Sequence, residues 1–478
     1  MTANQSSFLH TQLQMNFSFL HRLTAIRRSN QALALAGNVA ASGLTVVSVS
    51  VLFRALPAAE LGAWVFFGTM LGLGDALRAG TLTTAFIRAY AGAGRARAAE
   101  VVGSAWVLAG LITAALVGLA LLARLWPAPV ANVSLALFIR WFPLTFVLTL
   151  PSFMAAAVLQ AELRFDKLLR LRLLTLLTFL AGVGGLALGP GLTLERVVYC
   201  HLTAAGLTSA VALAQGWPRL TDVAARSRAC VRELLHFGKY SVGSYIGASL
   251  LRSSDTFIIN FLLGPAPLAV YNLAGRFLEL VEIPLRSFVS TAMPQLSAAY
   301  NQGRRADMVR IIERNAGLLT WALIPAALAT VLLADVPIYL VGGAKYAGTE
   351  AANLLRIGIV LALLCPLDRF SGVALDVLNQ PRLNLLKVLL MLALNTVGDY
   401  VGIRLCGNLY GVALASLPTI LGGFLFGYFL LNKTLPIRIR PMLRTGLAEC
   451  RQLLAQLRGR PAPALHAESN ASIPVSSL

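Results

Sequence analysis

The sequence predicts an all-α polytopic membrane protein with about 12 transmembrane helices, and three observations carry that prediction. Of 478 residues, 57% are hydrophobic and only 13% are charged, against roughly 25% charged in an average soluble protein. The mean hydropathy is +0.73. Long runs near the length of a bilayer-spanning helix contain no Asp, Glu, Lys or Arg. The basic residues gather in alternate loops. Together these observations set aside a water-soluble enzyme and a disordered chain.

The charge-free runs cover 33–53, 101–123, 141–161, 173–194, 197–218, 315–334 and 405–432. Five further spans are apolar but carry internal charges: 61–87, 239–262, 267–297, 352–376 and 385–404. Alternating apolar and polar ten-residue segments are absent from the sequence, so a β-barrel is not supported. Helices satisfy every backbone polar group within one segment, as hydrocarbon requires.

Loop charge orients the spans. With the N-terminus in the cytoplasm, the inward segments hold 28 of the 40 Lys and Arg. The outward loops hold Arg54, Arg124, Arg196 and Lys345, and eight cations lie inside spans. This asymmetry fits the positive-inside rule and puts both termini in the cytoplasm. The net charge of +20 then reads as membrane topology, with no nucleic-acid partner. No cleavable signal peptide is expected.

The basic segment 217–238 divides the chain into a cytoplasmic N-terminal tail (1–32), a six-helix lobe (33–216), this cytoplasmic linker, a second six-helix lobe (239–431) and a basic cytoplasmic tail (432–478). Leu-Gly-Ala-Trp-Val at 61–65 echoes Leu-Ala-Val-Tyr-Asn at 268–272, each opening the second helix of a half. Repeated six-helix halves are common in transporters. In the tail, Leu443, Leu447, Cys450, Leu454 and Leu457 follow helical spacing, with Arg444, Arg451 and Arg458 every seven residues. Such a helix can lie among lipid headgroups. Phe19, Leu23 and Ile26 with Arg22, Arg27 and Arg28 read similarly, and a disordered end is expected after Pro461.

No Walker A, HExxH or GxSxG motif occurs. The five cysteines and five histidines make no metal or disulfide spacing, so neither catalytic residues nor a metal or other cofactor is expected. The informative residues are charges inside spans, each costing roughly 2.5–3.5 kcal/mol at the bilayer centre on insertion scales. Arg252 and Asp255 are three apart in the seventh span. Arg276, Glu279, Glu282 and Arg286 form spaced pairs in the eighth. They read either as salt bridges pinning two helices or as the lining of a hydrated cavity in which arginine binds an anion. Asp75, Arg78, Arg140, Arg356, Asp368, Arg369, Asp376 and Asp399 complete the set; Arg140 and Arg356 can snorkel outward. Prolines at 143, 151, 284, 294, 325, 366 and 418 fall within spans, where each removes a backbone donor and favours a bend.

The order of four stretches resembles the bacterial polysaccharide (O-antigen type) flippase family, within the larger multidrug/oligosaccharidyl-lipid/polysaccharide exporter superfamily. The first runs from Gly37 through Arg54-Ala-Leu-Pro-Ala-Ala-Glu-Leu-Gly-Ala-Trp to Ala85-Phe-Ile-Arg88. The second is Leu159-Gln-Ala-Glu-Leu-Arg-Phe165. The third spans Phe237-Gly-Lys-Tyr240, Asp255-Thr-Phe-Ile-Ile259, Leu263-Gly-Pro265 and Tyr271-Asn-Leu-Ala-Gly-Arg276. The fourth is Ala292-Met-Pro-Gln-Leu-Ser297. The likeness covers roughly residues 33–431.

The resemblance implies two six-helix lobes forming a V around a central cavity. It also implies translocation of an undecaprenyl-diphosphate-linked oligosaccharide across the bacterial inner membrane for surface or exopolysaccharide assembly. By position, Arg78, Arg252, Arg276 and Arg286 are candidates for the diphosphate or sugar. Asp255, Asp368 and Asp399 are candidates for coupling to a proton or sodium ion, and Glu279 and Glu282 for salt bridges in the cavity. Implied partners are the lipid-linked substrate, membrane lipid, and polymerase and export machinery. The alternative is a cation-coupled multidrug or small-molecule antiporter of the same fold, kept open by the acids at 255, 279, 282, 368, 376 and 399. A membrane polymerase or ligase would need a large outward loop, and the longest here, 335–351, is too short.

Overall fold

A computed structural model describes residues 30–125, 132–189 and 191–457. Every regular element among them is helical. In chain order the α-helices are α1 (Asn30–Ala55), α2 (Ala58–Tyr90), α3 (Arg95–Arg124), α4 (Val133–Leu148), α5 (Leu150–Ala161), α6 (Phe165–Leu188), α7 (Leu194–Ala214), α8 (Arg228–Leu262), α9 (Pro265–Asn301), α10 (Arg305–Leu333), α11 (Asp335–Gly342), α12 (Ala351–Ala362), α13 (Cys365–Val377), α14 (Pro381–Cys406), α15 (Leu409–Asn432) and α16 (Ile439–Leu457).

Six of these helices are long and apolar enough to cross a membrane: α3, α6, α7, α10, α14 and α15. Two bent pairs pass the same test together, α4 with α5 at 45° and α12 with α13 at 47°. Ten of the twelve expected spans fall on one helix or one bent pair; 173–194 runs past the end of α6 to the first residue of α7, and 405–432 begins at the end of α14. The long helices α2, α8 and α9 stay outside that apolar class because ionised groups interrupt their hydrophobic runs. The in-span prolines divide into two kinds. Pro151 and Pro366 occupy the first turn of α5 and α13, at the two bends. Pro143, Pro284, Pro294, Pro325 and Pro418 sit inside continuous helices.

The chain separates into two compact units. The first comprises the residues up to Asn272 together with Pro337–Thr349. Its core joins Leu82, Phe86, Val101, Val102 and Met154 in one cluster, and Phe67, Phe142, Phe146 and Val198 in another. The helix α8 belongs to this unit and packs along α2. Backbones approach closely where Gly238 meets the Thr81 carbonyl: a Cβ on that glycine would lie 2.2 Å from the oxygen. The segment 337–349 packs on the end of α1, where Arg54 donates to the Leu340 carbonyl at 2.6 Å and Ser50 to the Val341 carbonyl at 3.2 Å.

The second unit comprises Leu273–Val336 and the residues from Glu350 onward. Leu285, Leu296, Met308, Ile312, Phe370, Leu375 and Met442 form its core. Its tightest helix pair is α14 with α15, where Gly402 and Gly411 bring the two backbones together. The tail helix expected from Leu443 onward is α16, packed against α10. The amphipathic stretch around Phe19 to Arg28 and the segment from Arg458 onward lie outside the described residues.

Candidate functional site

The in-span charges of the first unit lie on α2, α4 and α8; Arg140 of α4 pairs with Glu195 at 2.9 Å. One turn of α2 brings Asp75 and Arg78 into an ion pair. Arg78 is 1% exposed although it is an arginine. Its Nη1 donates to the Phe146 carbonyl at 3.3 Å and its Nη2 to the Thr149 hydroxyl at 3.0 Å. The guanidinium lies 3.8 Å from the Phe146 ring centroid and 4.8 Å from that of Phe153. These partners flank the α4/α5 bend. The arginine therefore supplies donors where the helix ladder is interrupted, and two aromatic faces take up its charge. Asp75 keeps 52% of its side chain exposed.

On α8, Arg252 is exposed. Among the described residues no carboxylate lies within ion-pair distance of it. Asp255, one turn on, is half-buried and accepts instead from the Tyr271 hydroxyl of α9. Both residues are in the first unit.

The second unit holds the other candidates. Arg276 pairs with Glu279 at 3.4 Å, and Arg286 pairs with Glu282. Both pairs run along the exposed side of α9, so each arginine carries its own counter-charge on the same helix. Asp399 of α14 is fully buried and accepts from the Asn395 amide at 3.1 Å, one turn earlier. Asp376 accepts from Asn384 at 3.0 and 2.9 Å. Arg356 donates to the Val331 carbonyl at 3.0 Å and pairs with Asp335.

Asp368 has a partner that sequence reading missed. Lys387, inside the expected span 385–404 but not named as a candidate, lies in α14 and is 3% exposed. Its ammonium is 2.7 Å from the Asp368 carboxylate. It donates to the Asp368 carbonyl at 2.8 Å and to the Ser371 hydroxyl at 3.0 Å. Two hydrogen bonds and one ion pair thus enclose the ammonium near the α12/α13 bend. The signal was present in the sequence: Lys387 is flanked by Leu385, Leu386, Val388 and Leu389, a setting unlike that of a solvated loop lysine. Tyr271 and Asn395 were also missed.

The candidates therefore fall into two groups. Arg78, Arg252 and Asp255 belong to one unit; Arg276, Glu279, Glu282, Arg286, Asp368 and Asp399 belong to the other. Among the described residues no group of three or more His, Cys, Asp or Glu is arranged to hold a metal ion. Chemically the arrangement offers guanidinium groups suited to a phosphate and carboxylates able to take a proton or small cation.

Outside the spans, Arg97 and Glu100 at the start of α3 tie the entry of α8 in place. The Ser227 hydroxyl, the N-cap of α8, donates to Glu100, and Arg97 donates to it at 2.8 Å. These bonds hold the Glu100 carboxyl below the usual carboxylate range. Arg97 also pairs with Glu233.

Comparisons with known proteins agree with this architecture. The probable low-salt glycan biosynthesis flippase Agl15 of Haloferax volcanii is 26% identical over 389 residues, covering 78% of this chain and 77% of that protein. The lipid II flippase MurJ, in an inward closed conformation, has a similar fold, with a TM-score of 0.69 at 13% identity over 90% of this chain and 94% of its own. An inward-facing multidrug resistance MATE family transporter of the MOP superfamily gives a TM-score of 0.66 at 17% identity, over 82% and 96%. At these identities the two structures speak for the fold alone. The sequence model described as polysaccharide biosynthesis protein matches residues 51–350, well over half of the chain, and the chain belongs to that family.

Proposed function

We propose that this protein is a flippase that moves an undecaprenyl-diphosphate-linked oligosaccharide from the inner to the outer leaflet of the bacterial inner membrane, for surface or exopolysaccharide assembly. The observation that carries the reading is the likeness to a probable glycan biosynthesis flippase over more than three quarters of both chains. Membership of the polysaccharide biosynthesis family supports it. In this reading both termini are cytoplasmic.

The chemistry of the in-span charges supports the same reading. A diphosphate headgroup in a low-dielectric region needs cationic partners. Arg252, exposed on α8, is the first candidate. Arg276 and Arg286 rest on Glu279 and Glu282 and would exchange those carboxylates for phosphate. Arg78 would serve by holding the α4/α5 bend beside the path. Asp255, Asp368 and Asp399 are the candidates for proton or sodium coupling; Lys387 at 2.7 Å makes Asp368 the most fully compensated of them. Polymerase and export machinery would take up the flipped unit.

The test is deletion of the gene, with surface polysaccharide and lipid-linked oligosaccharide measured together. The expected outcome is loss of surface polymer, with lipid-linked repeat units accumulating on the cytoplasmic leaflet. Unchanged polysaccharide with new sensitivity to cationic drugs would overturn the reading in favour of a cation-coupled multidrug antiporter.

A further inference from the structure

The tail helix α16 has three distinct sides. Met442 and Gly446 form the docked side. Met442 is 2% exposed, and a Cβ on Gly446 would lie 2.2 Å from the Gly317 carbonyl carbon. The Trp321 indole donates to the Leu443 carbonyl at 2.9 Å, and Arg314 pairs with Glu449 at 3.0 Å. Leu443, Leu447 and Cys450 follow on the next side, each only half-buried. Arg440, Arg444 and Arg451 come next and are all exposed. At about 100° per residue the three arginines lie within about 40° of one another, and the apolar stripe lies about 70° away, between them and the docked side.

The docking point also fixes the depth of the helix. Arg314 is the last charge before the apolar run 315–334 of α10, and Gly317 is the third residue of that run. The helix α16 therefore crosses α10 where the charged first turns of α10 give way to its apolar run. An apolar stripe bordered by arginines at that level is the arrangement of a helix lying in the headgroup layer.

We propose that α16 is a binding surface for anionic phospholipid headgroups. Leu443, Leu447 and Cys450 enter the acyl boundary, and Arg440, Arg444 and Arg451 contact phosphate at the rim. The occupant follows from charge: three exposed cations without a carboxylate on their side of the helix need an anionic surface. Near such a surface each arginine strengthens association about fivefold. Through Trp321, Arg314 and Gly317, the bound lipid layer grips α10 directly. The inference does not depend on which solute the protein moves.

The test uses the full-length chain in nanodiscs of phosphatidylcholine alone or of a phosphatidylcholine–phosphatidylglycerol mixture. Cys450 is alkylated with a membrane-impermeant maleimide and read peptide by peptide, with the exposed Cys406 as internal reference. Modification of Cys450 should be about tenfold slower in the mixture, and the R440Q/R444Q/R451Q variant should lose that difference. Native mass spectrometry should show phosphatidylglycerol retained by the unaltered chain and lost from the triple variant. Equal Cys450 reactivity in the two bilayers, or equal phosphatidylglycerol retention by the two proteins, would overturn the proposal.

Discussion

Each compact unit contains one bent helix pair, and beside each bend lies one buried cation. At the α4/α5 bend the cation is Arg78; at the α12/α13 bend it is Lys387. The two solve the same problem differently. Arg78 reaches a backbone carbonyl, a threonine hydroxyl and two phenylalanine rings, and its carboxylate partner Asp75 is half-exposed. Lys387 is enclosed, paired with the Asp368 carboxylate and donating to the Asp368 carbonyl and the Ser371 hydroxyl, and only 19% of the Asp368 side chain is exposed. A planar, weakly hydrated guanidinium can spread its charge over aromatic faces, whereas a compact ammonium needs close oxygens. The comparison teaches that a cation within a span need not face a ligand: at the α4/α5 bend Arg78 donates to the Phe146 carbonyl, and Lys387 compensates a mostly buried carboxylate on α13.

The largest effect is expected at Lys387, because its removal leaves a mostly buried carboxylate uncompensated. Lys387→Met should cost about 3–5 kcal/mol of stability, read as a lowered thermal midpoint in detergent. Adding Asp368→Asn should restore most of it. A smaller loss, about 2 kcal/mol, is expected for Arg78→Met, since Asp75 can be hydrated and the main cost is the lost charge-assisted bonds at the bend. If the two single variants lose the same amount, and neither is rescued by neutralising its acid, the contrast between the two bends is wrong.

The comparison is sharpened by an arginine that braces no bend. Arg252→Ala should leave the thermal midpoint within about 0.5 kcal/mol of the unaltered protein and lower transport by roughly tenfold, the loss of one charge-assisted contact. Arg124→Ala, near the end of α3, should do neither. Equal transport by the two variants would remove Arg252 from the substrate path.

The smallest effect concerns pH. Because Ser227 and Arg97 hold the Glu100 carboxyl low, its contribution to stability is complete above the unfolded value near ~4.3. It is lost as pH falls through the lower folded value. The acid side of a stability–pH curve should therefore flatten in Glu100→Gln, with the variant slightly less stable than the unaltered protein at neutral pH and the two curves converging in acid.

Most of the helical architecture was legible because hydrocarbon imposes a coarse rule, an apolar run of a given length, that needs no knowledge of partners. What lay between helices was not. Pro151 and Pro366 end one helix segment and begin another, whereas Pro143 and Pro325 sit in unbroken helices. Nothing in the local sequence distinguishes them. Spacing could not reveal the role of Lys387, because its partner is 19 positions away on another helix. An apolar run cannot reveal which neighbour it packs against, so a boundary drawn at the basic segment 217–238 did not show that α8 joins the unit containing α2. In the site, the pairs Arg276–Glu279 and Glu282–Arg286 were readable from helical spacing alone. The exposure of Arg252, the burial of Arg78 and the bond from Tyr271 to Asp255 depend on tertiary packing that spacing does not encode.

The most direct measurement is translocation by the purified full-length chain in liposomes loaded with a fluorescent undecaprenyl-diphosphate oligosaccharide. The flippase account predicts protein-dependent movement of the lipid between leaflets, reduced roughly tenfold by Arg252→Ala. No movement of the lipid diphosphate, under either a proton or a sodium gradient, would contradict it.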